Sequence, residues 1–360
     1  MTLPNTMKAM VTMGHGDLDQ MVFHTDWPRP DPEAGEVLIR VGACGLNNTD
    51  VNTRTGWYSK AVTDATTGGA YAQVDDSDPT WGGAPITFPR IQGADVCGVI
   101  VAAGAGVDPA RIGERVITDG WLRDADDLMN KNKTGYFGSE RDGGFAEYTT
   151  TPARNALAIK SDLTDAELAT FSCSFSTAEG MLTRAQVTKS DTVLVPGASG
   201  GVGGALVQLA KRRGARVIAM ASDSKHSDVA NLGPDRIISR SPDNLRQVLE
   251  GEKVTVVADV VGGSKWPSLI DVLERGGRYT CSGAIAGPIV EFDLRTFYLR
   301  DLTFTGSTVI AAEVMPNLIG YIERGEVKPA LAASYPLDQL HKAQAAFIAK
   351  SHTGNIVVIP

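Results

Sequence analysis

Residues 193 to 211 read VLVPGASGGVGGALVQLAK: a short apolar run, a glycine-rich turn, then an amphipathic stretch. Such a strand-turn-helix junction can hold a pyrophosphate. Gly197 lets the chain turn, and Ser199, Gly200, Gly201, Val202 and Gly203 would present the first N–H groups of a helix with little side-chain bulk in the way. A glycine-rich turn alone is weak evidence, because many serve only as tight turns in an α/β core. Here Val202, Ala205, Leu206, Leu209 and Ala210 recur at helical spacing, and a second strand-like run from Arg216 to Ala221 follows Gly214, completing a β-α-β unit. The end of that second strand discriminates between dinucleotides. An acidic side chain there would accept hydrogen bonds from a free ribose 2′-hydroxyl and repel a 2′-phosphate. The position is Ala221, followed by Ser222, with Lys225 just beyond and Arg240 after a third short strand. A hydroxyl and two cations suit a phosphate, so NADP is expected over NAD. Asp223 would reverse this if it pointed inward, and Lys225 and Arg240 are alternatively solvated surface charges.

The elements that must position this turn follow from the rest of the chain. At 360 residues it suits two domains. Charged residues are 21% and the net charge is −8, which disfavours a nucleic-acid partner. No apolar run reaches the roughly 20 residues that span a bilayer, and the N-terminus lacks the apolar core of a secretory signal, so no membrane partner and a cytoplasmic location are expected. Cys44, Cys97, Cys173 and Cys281 are scattered, with no Cys-x-x-Cys pair, and read as reduced thiols. The first 150 or so residues read as β-rich, with runs at Val37–Val41, Val96–Ala102 and Val116–Thr118. Thr164 with Glu167 three residues on is a capping box opening a helix. Strands are then expected at Val193–Val195, Val217–Ala221, Arg236–Ser239, Val254–Val257, Arg278–Ser282 and Leu302–Gly306, with helices at Asn244–Glu250, Trp266–Glu274 and Ala312–Arg324. The last segment returns to strands at Ala333–Tyr335 and Ile356–Ile359 around a helix from Leu337 to Lys350. The C-terminus is therefore expected to fold back on the N-terminal domain (1–156 and 328–360), with an α/β domain (157–327) inserted between.

In this order, ACGLNNTD (43–50), RTGWY (54–58), QGADVCGVIVAAGAGV (92–107), IGERV (112–116), DGGFAEY (142–148), FSCSFSTAEGML (171–182), the glycine-rich segment and HTGNIVVIP (352–360) resemble the medium-chain dehydrogenase/reductase superfamily over essentially the whole chain. The resemblance implies a doubly wound, parallel Rossmann sheet inserted in a β-rich GroES-like domain, with catalysis in the cleft between them. It also implies a small-molecule substrate and a homodimer or homotetramer, often joined at the Rossmann sheet edge, for which Leu302–Ser307 is the candidate strand. The superfamily divides on zinc. The first catalytic ligand of the zinc enzymes matches Asn47 here, their His-Glu pair matches Ala94 and Asp95, and only Cys173 stands at a ligand position. Asp119–Ser139, where a structural zinc lobe would lie, has no cysteine. Three protein ligands are needed, so no metal is expected.

The zinc-free quinone oxidoreductase-like branch is the better match, and it implies NADPH-dependent reduction of quinones, enones or other carbonyl compounds. In that branch Asn47 and Tyr58 line the cleft. Asn47 can donate to a developing oxyanion, and Tyr58 either donates its phenolic proton or is a pocket wall. Thr49 matches the proton-relay hydroxyl of the zinc branch, a role in doubt without a metal, and otherwise caps a turn. Asp50 reads as support for the fold or the cleft. Thr177 should lie beside the nicotinamide, and Cys173 is a packing residue or a reactive thiol. The stretch 59–88 is longer than the usual connection and reads as a lid or substrate loop, with Tyr71 and Trp81 as walls or anchors. Two alternatives stay open: an alcohol dehydrogenase with an atypical zinc site on Cys173 and Asp95, and a non-enzymatic NADPH-binding structural or sensing protein.

Overall fold

The computed structural model describes residues 3–71, 74, 85–128 and 130–360. They form two compact units, one of Met1–Val62, Thr67–Cys173 and Ala311–Pro360, the other of Thr63–Thr66 and Ser174–Ile310.

In the second unit, Val193, Leu194 and Val195 are each 0% exposed. A strand buried on both faces is what a parallel sheet between helix layers requires. Six parallel strands lie in the spatial order Arg236–Ser239, Arg216–Ala221, Thr192–Val195, Val254–Asp259, Leu273–Cys281, Thr303–Gly306. The helix Gly201–Arg212 crosses between Thr192–Val195 and Arg216–Ala221, burying Ala205, Leu206, Leu209 and Ala210. Gly214, with φ +79°, lets the chain leave that helix and enter the next strand. Strand order reverses beside Thr192–Val195, the point where such sheets open a crevice at their carboxyl ends. The doubly wound sheet expected from the sequence is therefore present, and Thr303–Gly306 is an edge strand.

Two helices are shorter than their patterns suggested, Leu245–Val248 and Trp266–Asp271. The second stops early because Leu273 pairs with Val254 in the sheet. An apolar residue at the end of a helical repeat suits either element, and the long-range partner decides. Residues 63–66 of the long 59–88 connection belong to this unit, where the Thr66 N–H donates to the Ile285 carbonyl at 3.1 Å.

The first unit is built on a seven-stranded sheet. Along its path lie Ala156–Ala158, Arg115–Thr118, Asp95–Ala103, Glu36–Gly45, Asn355–Ile359 and Leu331–Pro336, and Tyr148–Pro152 also pairs with Glu36–Gly45. The C-terminal strand does fold back: Val357 and Val358 pair antiparallel with Gly45 and Cys44. Its core includes Met10, Ile39, Val96, Ile100, Phe145, Leu340 and Phe347. The helix Asn48–Thr55 starts at Asn47, whose backbone N–H donates to the Asp50 carboxylate at 2.7 Å. A two-residue ladder, Trp121–Leu122 against Gly135–Tyr136, adds a small hairpin-like pair. The capping box at Thr164 opens the helix Asp165–Leu168 as expected.

Candidate functional site

The glycine-rich turn has the geometry of an anion cradle. Gly197 takes φ +67°, a left-handed conformation that a Cβ would strain. At Gly203 a Cβ would lie 2.1 Å from the Gly197 carbonyl oxygen, so the missing side chain lets the turn pack on the helix. The helix Gly201–Arg212 begins at Gly200 with no side-chain cap, leaving its first-turn N–H groups for an anion. Gly200 is exposed, Ser199, Gly201 and Val202 are half-buried, and Gly203 is buried. These residues fit the pyrophosphate of a dinucleotide.

At the end of the second strand, the Arg240 N–H donates to the Ala221 carbonyl at 2.8 Å and the Lys225 N–H to the Ser222 carbonyl at 2.8 Å. The two cations converge: burial and then the charge of Arg240 push the Lys225 ammonium below its ordinary range, opposed by Asp228. Cations held together in this way fit a phosphate. Asp223 points outward, its side chain 81% exposed and 3.6 Å from His226. Thr177 is half-buried on the helix Ser172–Arg184.

The acceptor-side candidates gather in the first unit. Asn47 is 7% exposed, and its buried side-chain amide hydrogen-bonds to the Asp95 carboxylate. Asp50 accepts the backbone N–H of Asn47 at 2.7 Å and of Gly93 at 3.2 Å, tying the start of the Asn48–Thr55 helix to the 92–95 turn. Asp95 accepts the Cys173 N–H at 2.9 Å. Burial pushes the Asp50 carboxyl up to about 7 against the two N–H groups it accepts. It does the same to Asp95, also up to about 7, with the hydrogen bond from the Asn47 amide opposing and the Asp50 charge adding. Tyr58 hydrogen-bonds to Thr49 and Asn52, and burial raises its phenol to about 12 against those two contacts. Thr49, in the first turn of the Asn48–Thr55 helix, thus stands beside the phenol of Tyr58, which follows the helix end.

The sequence reading missed Tyr136. Its hydroxyl meets the Cys173 thiol close to Asp95 and Asp50. No motif marks it, since it arrives through the Trp121–Leu122 ladder. In the 59–88 stretch, the Tyr71 hydroxyl accepts the Thr67 N–H at 3.3 Å, a contact within the stretch itself, whereas Trp81 lies outside the described residues.

The donor set does not suit a catalytic zinc. Asn47 and Ala94 stand at two of the ligand positions, leaving Asp95 and Cys173, and Asp95 already accepts the Cys173 N–H. Among the described residues no group of three His, Cys, Asp or Glu side chains could hold a metal ion.

Comparison with known proteins agrees with this architecture. Residues 33–161 match the family model described as alcohol dehydrogenase GroES-like domain, and 201–324 the model described as zinc-binding dehydrogenase. The crystal structure of a presumptive alcohol dehydrogenase from Sinorhizobium meliloti 1021 is 45% identical, with TM-score 0.90 over 99% of this chain and 98% of that one. The NADPH-dependent alkenal/one oxidoreductase of Arabidopsis thaliana chloroplasts is 28% identical over 100% of this chain and 81% of its own length. The acryloyl-coenzyme A reductase of Metallosphaera sedula is 25% identical over 98% of this chain and 99% of its own. With a GroES-like unit, a Rossmann sheet carrying a nicotinamide dinucleotide cradle and these relatives, the chain belongs to the medium-chain dehydrogenase/reductase superfamily and is an oxidoreductase of small molecules.

Proposed function

We propose that the protein is an NADPH-dependent reductase of activated double bonds and quinones that works without a catalytic metal. The observation that carries this reading is the buried side-chain amide of Asn47, held against the Asp95 carboxylate, a neutral donor standing where a metal ligand would be in the zinc enzymes. NADPH, when bound, supplies the hydride. Addition of hydride to an enone or quinone leaves negative charge on an oxygen, and a preorganised donor in a water-poor site lowers that cost. Tyr58, supported by Thr49 and Asn52, returns a proton. Lys225, Arg240 and Ser222 hold the 2′-phosphate, Ser199 to Gly203 the pyrophosphate, and Thr177 orients the nicotinamide. Relatives named for alkenal/one and acryloyl-coenzyme A reduction support an unsaturated carbonyl substrate.

A homodimer or homotetramer suits the edge strand Thr303–Gly306. Ile289 (67% exposed), Leu294 (67%), Tyr298 (60%) and Leu299 (56%) precede it as an uncovered apolar surface. No helix among the described residues is long and apolar enough to cross a membrane.

The test is NADPH oxidation against a panel of enones, quinones, aldehydes and ketones, with NADH as matched control and with 1,10-phenanthroline added. The expected outcome is turnover of enones or quinones, NADPH strongly preferred, and no loss with the chelator. Tightly held zinc with activity lost on chelation would return the reading to an alcohol dehydrogenase. Cofactor binding without any turnover would point to a sensing or structural role.

A further inference from the structure

The crevice at the carboxyl ends of the parallel sheet opens between the neighbouring strands Thr192–Val195 and Val254–Asp259, where the strand order reverses. One lip of it is the glycine-rich turn. The other is the chain that leaves Val254–Asp259. A Cβ placed on Gly197 would lie 3.0 Å from Val261 Cγ2, so the two lips pack directly on each other. Asp259 holds the start of the second lip, accepting the N–H of Val261 at 2.7 Å and of Gly262 at 3.2 Å.

Beyond that point the second lip is held by backbone alone. Gly262 (φ +61°), Gly263 (φ +72°) and Gly287 (φ +125°) take conformations that side chains rarely adopt. A Cβ on Gly263 would meet the Ala286 carbonyl oxygen at 2.6 Å, so 260–263 and 284–287 approach main chain to main chain. Three hydrogen bonds join them: the Ile285 N–H to the Val260 carbonyl at 3.3 Å, the Ala286 N–H to the Val261 carbonyl at 2.8 Å and the Gly263 N–H to the Gly287 carbonyl at 3.0 Å. Glycine loses the most conformational freedom on ordering, so this rim gains from every further tie. One tie comes from a distant part of the chain. Residues 63–66 of the 59–88 connection belong to this unit, and the Thr66 N–H donates to the Ile285 carbonyl at 3.1 Å. Ile285 is thereby held on both sides, its N–H by Val260 and its carbonyl by Thr66.

We infer that Thr63–Thr66 is a strap of the cofactor site, which through Ile285 positions the 260–263 lip against the glycine-rich turn. This rests on the reading of that turn as the dinucleotide cradle. Thr66 acts through Ile285 and is a positioning residue. The strap and the cofactor then tighten each other. By linkage, whatever factor the docked strap adds to NADPH affinity, bound NADPH adds to strap docking. One backbone hydrogen bond sets that factor at about fivefold.

Two measurements on the full chain test this. In the wild type, hydrogen exchange at the Thr66 and Ala286 amides should slow about fivefold on saturation with NADPH. A segment that serves the fold alone would exchange equally with and without the cofactor. Thr66→Pro removes the donor, whereas Thr66→Ala keeps it. Fluorescence titration should find NADPH bound about fivefold more weakly by the proline variant than by the alanine variant. If Thr66→Pro does not fold, the exchange measurement decides, because it needs no substitution. An exchange rate at Thr66 that NADPH leaves unchanged would overturn the inference, as would a folded Thr66→Pro that binds NADPH within about 1.5-fold of Thr66→Ala. A wild type that binds neither NADPH nor NADH would instead overturn the dinucleotide reading of the cradle itself.

Discussion

Replacing Arg240 by alanine should separate NADPH from NADH. A charge-assisted hydrogen bond to a phosphate contributes about 1.5–3 kcal/mol, or about 10- to 150-fold in affinity. Arg240 is exposed, so solvent screening places it near the low end, about tenfold, while half-buried Lys225 belongs higher, at about 30- to 100-fold. The KM for NADH should change by less than about twofold, since no 2′-phosphate is present to lose a partner. The two cations are coupled, which gives a second signature. Arg240 helps hold the Lys225 pKa below its ordinary value, so the wild type's NADPH affinity should decline as alkaline pH deprotonates that lysine. Arg240→Ala removes the repulsion, raises the Lys225 pKa and moves the decline to higher pH. For the same reason Lys225→Ala/Arg240→Ala should cost less than the product of the single losses. The assay is steady-state kinetics with each cofactor from pH 7 to 10 at low and at high salt. A parallel rise in both KM values, or no change in either, would refute the 2′-phosphate assignment.

Gly203→Ala should abolish dinucleotide binding and destabilise the fold by about 2 kcal/mol or more, because the added Cβ meets the Gly197 carbonyl oxygen at 2.1 Å and the obstruction is backbone. Fluorescence titration with NADPH together with thermal unfolding checks both effects. Asp95 predicts a pH dependence of stability. Its folded pKa, about 7, lies above the unfolded carboxylate value of 3.8. Its contribution is therefore complete below the unfolded value and is lost as pH rises toward 7, after which the curve is flat. Asp95→Asn removes this proton linkage, so urea unfolding between pH 5 and 8 should show a slope reduced by on the order of 2 kcal/mol across the window. An unchanged slope would mean that Asp95 is already ionised at pH 5.

The dinucleotide cradle was legible because its causes are local. Glycines at 197, 200, 201 and 203, an apolar run before them and helical spacing after them lie within some twenty residues, and the sheet only had to supply neighbours. The same holds for Asn47, Thr49 and Tyr58, which one short helix and its exit bring together. The fold-back of the C-terminus was readable from strand texture, although its pairing with Glu36–Gly45 needed the sheet. Helix ends at 250 and 274 were misjudged, because apolar spacing does not tell a helix residue from a strand residue such as Leu273 until Val254 stands beside it.

Tertiary structure alone decided three points. Asp223, the residue that would have argued for NAD, turns to solvent, and only the backbone after the second strand fixes that direction. Lys225, in the turn Asp223–Lys225, and Arg240, just past the strand Arg236–Ser239, come close because that strand pairs in parallel with Arg216–Ala221. Tyr136 carries no motif and reaches Cys173 because a two-residue ladder and a side-chain-free Gly120 leave it room. Sequence records what a residue is and what its near neighbours are. Which distant polar groups share a buried space is set by strand register and side-chain volume, and these exist only once the chain has packed.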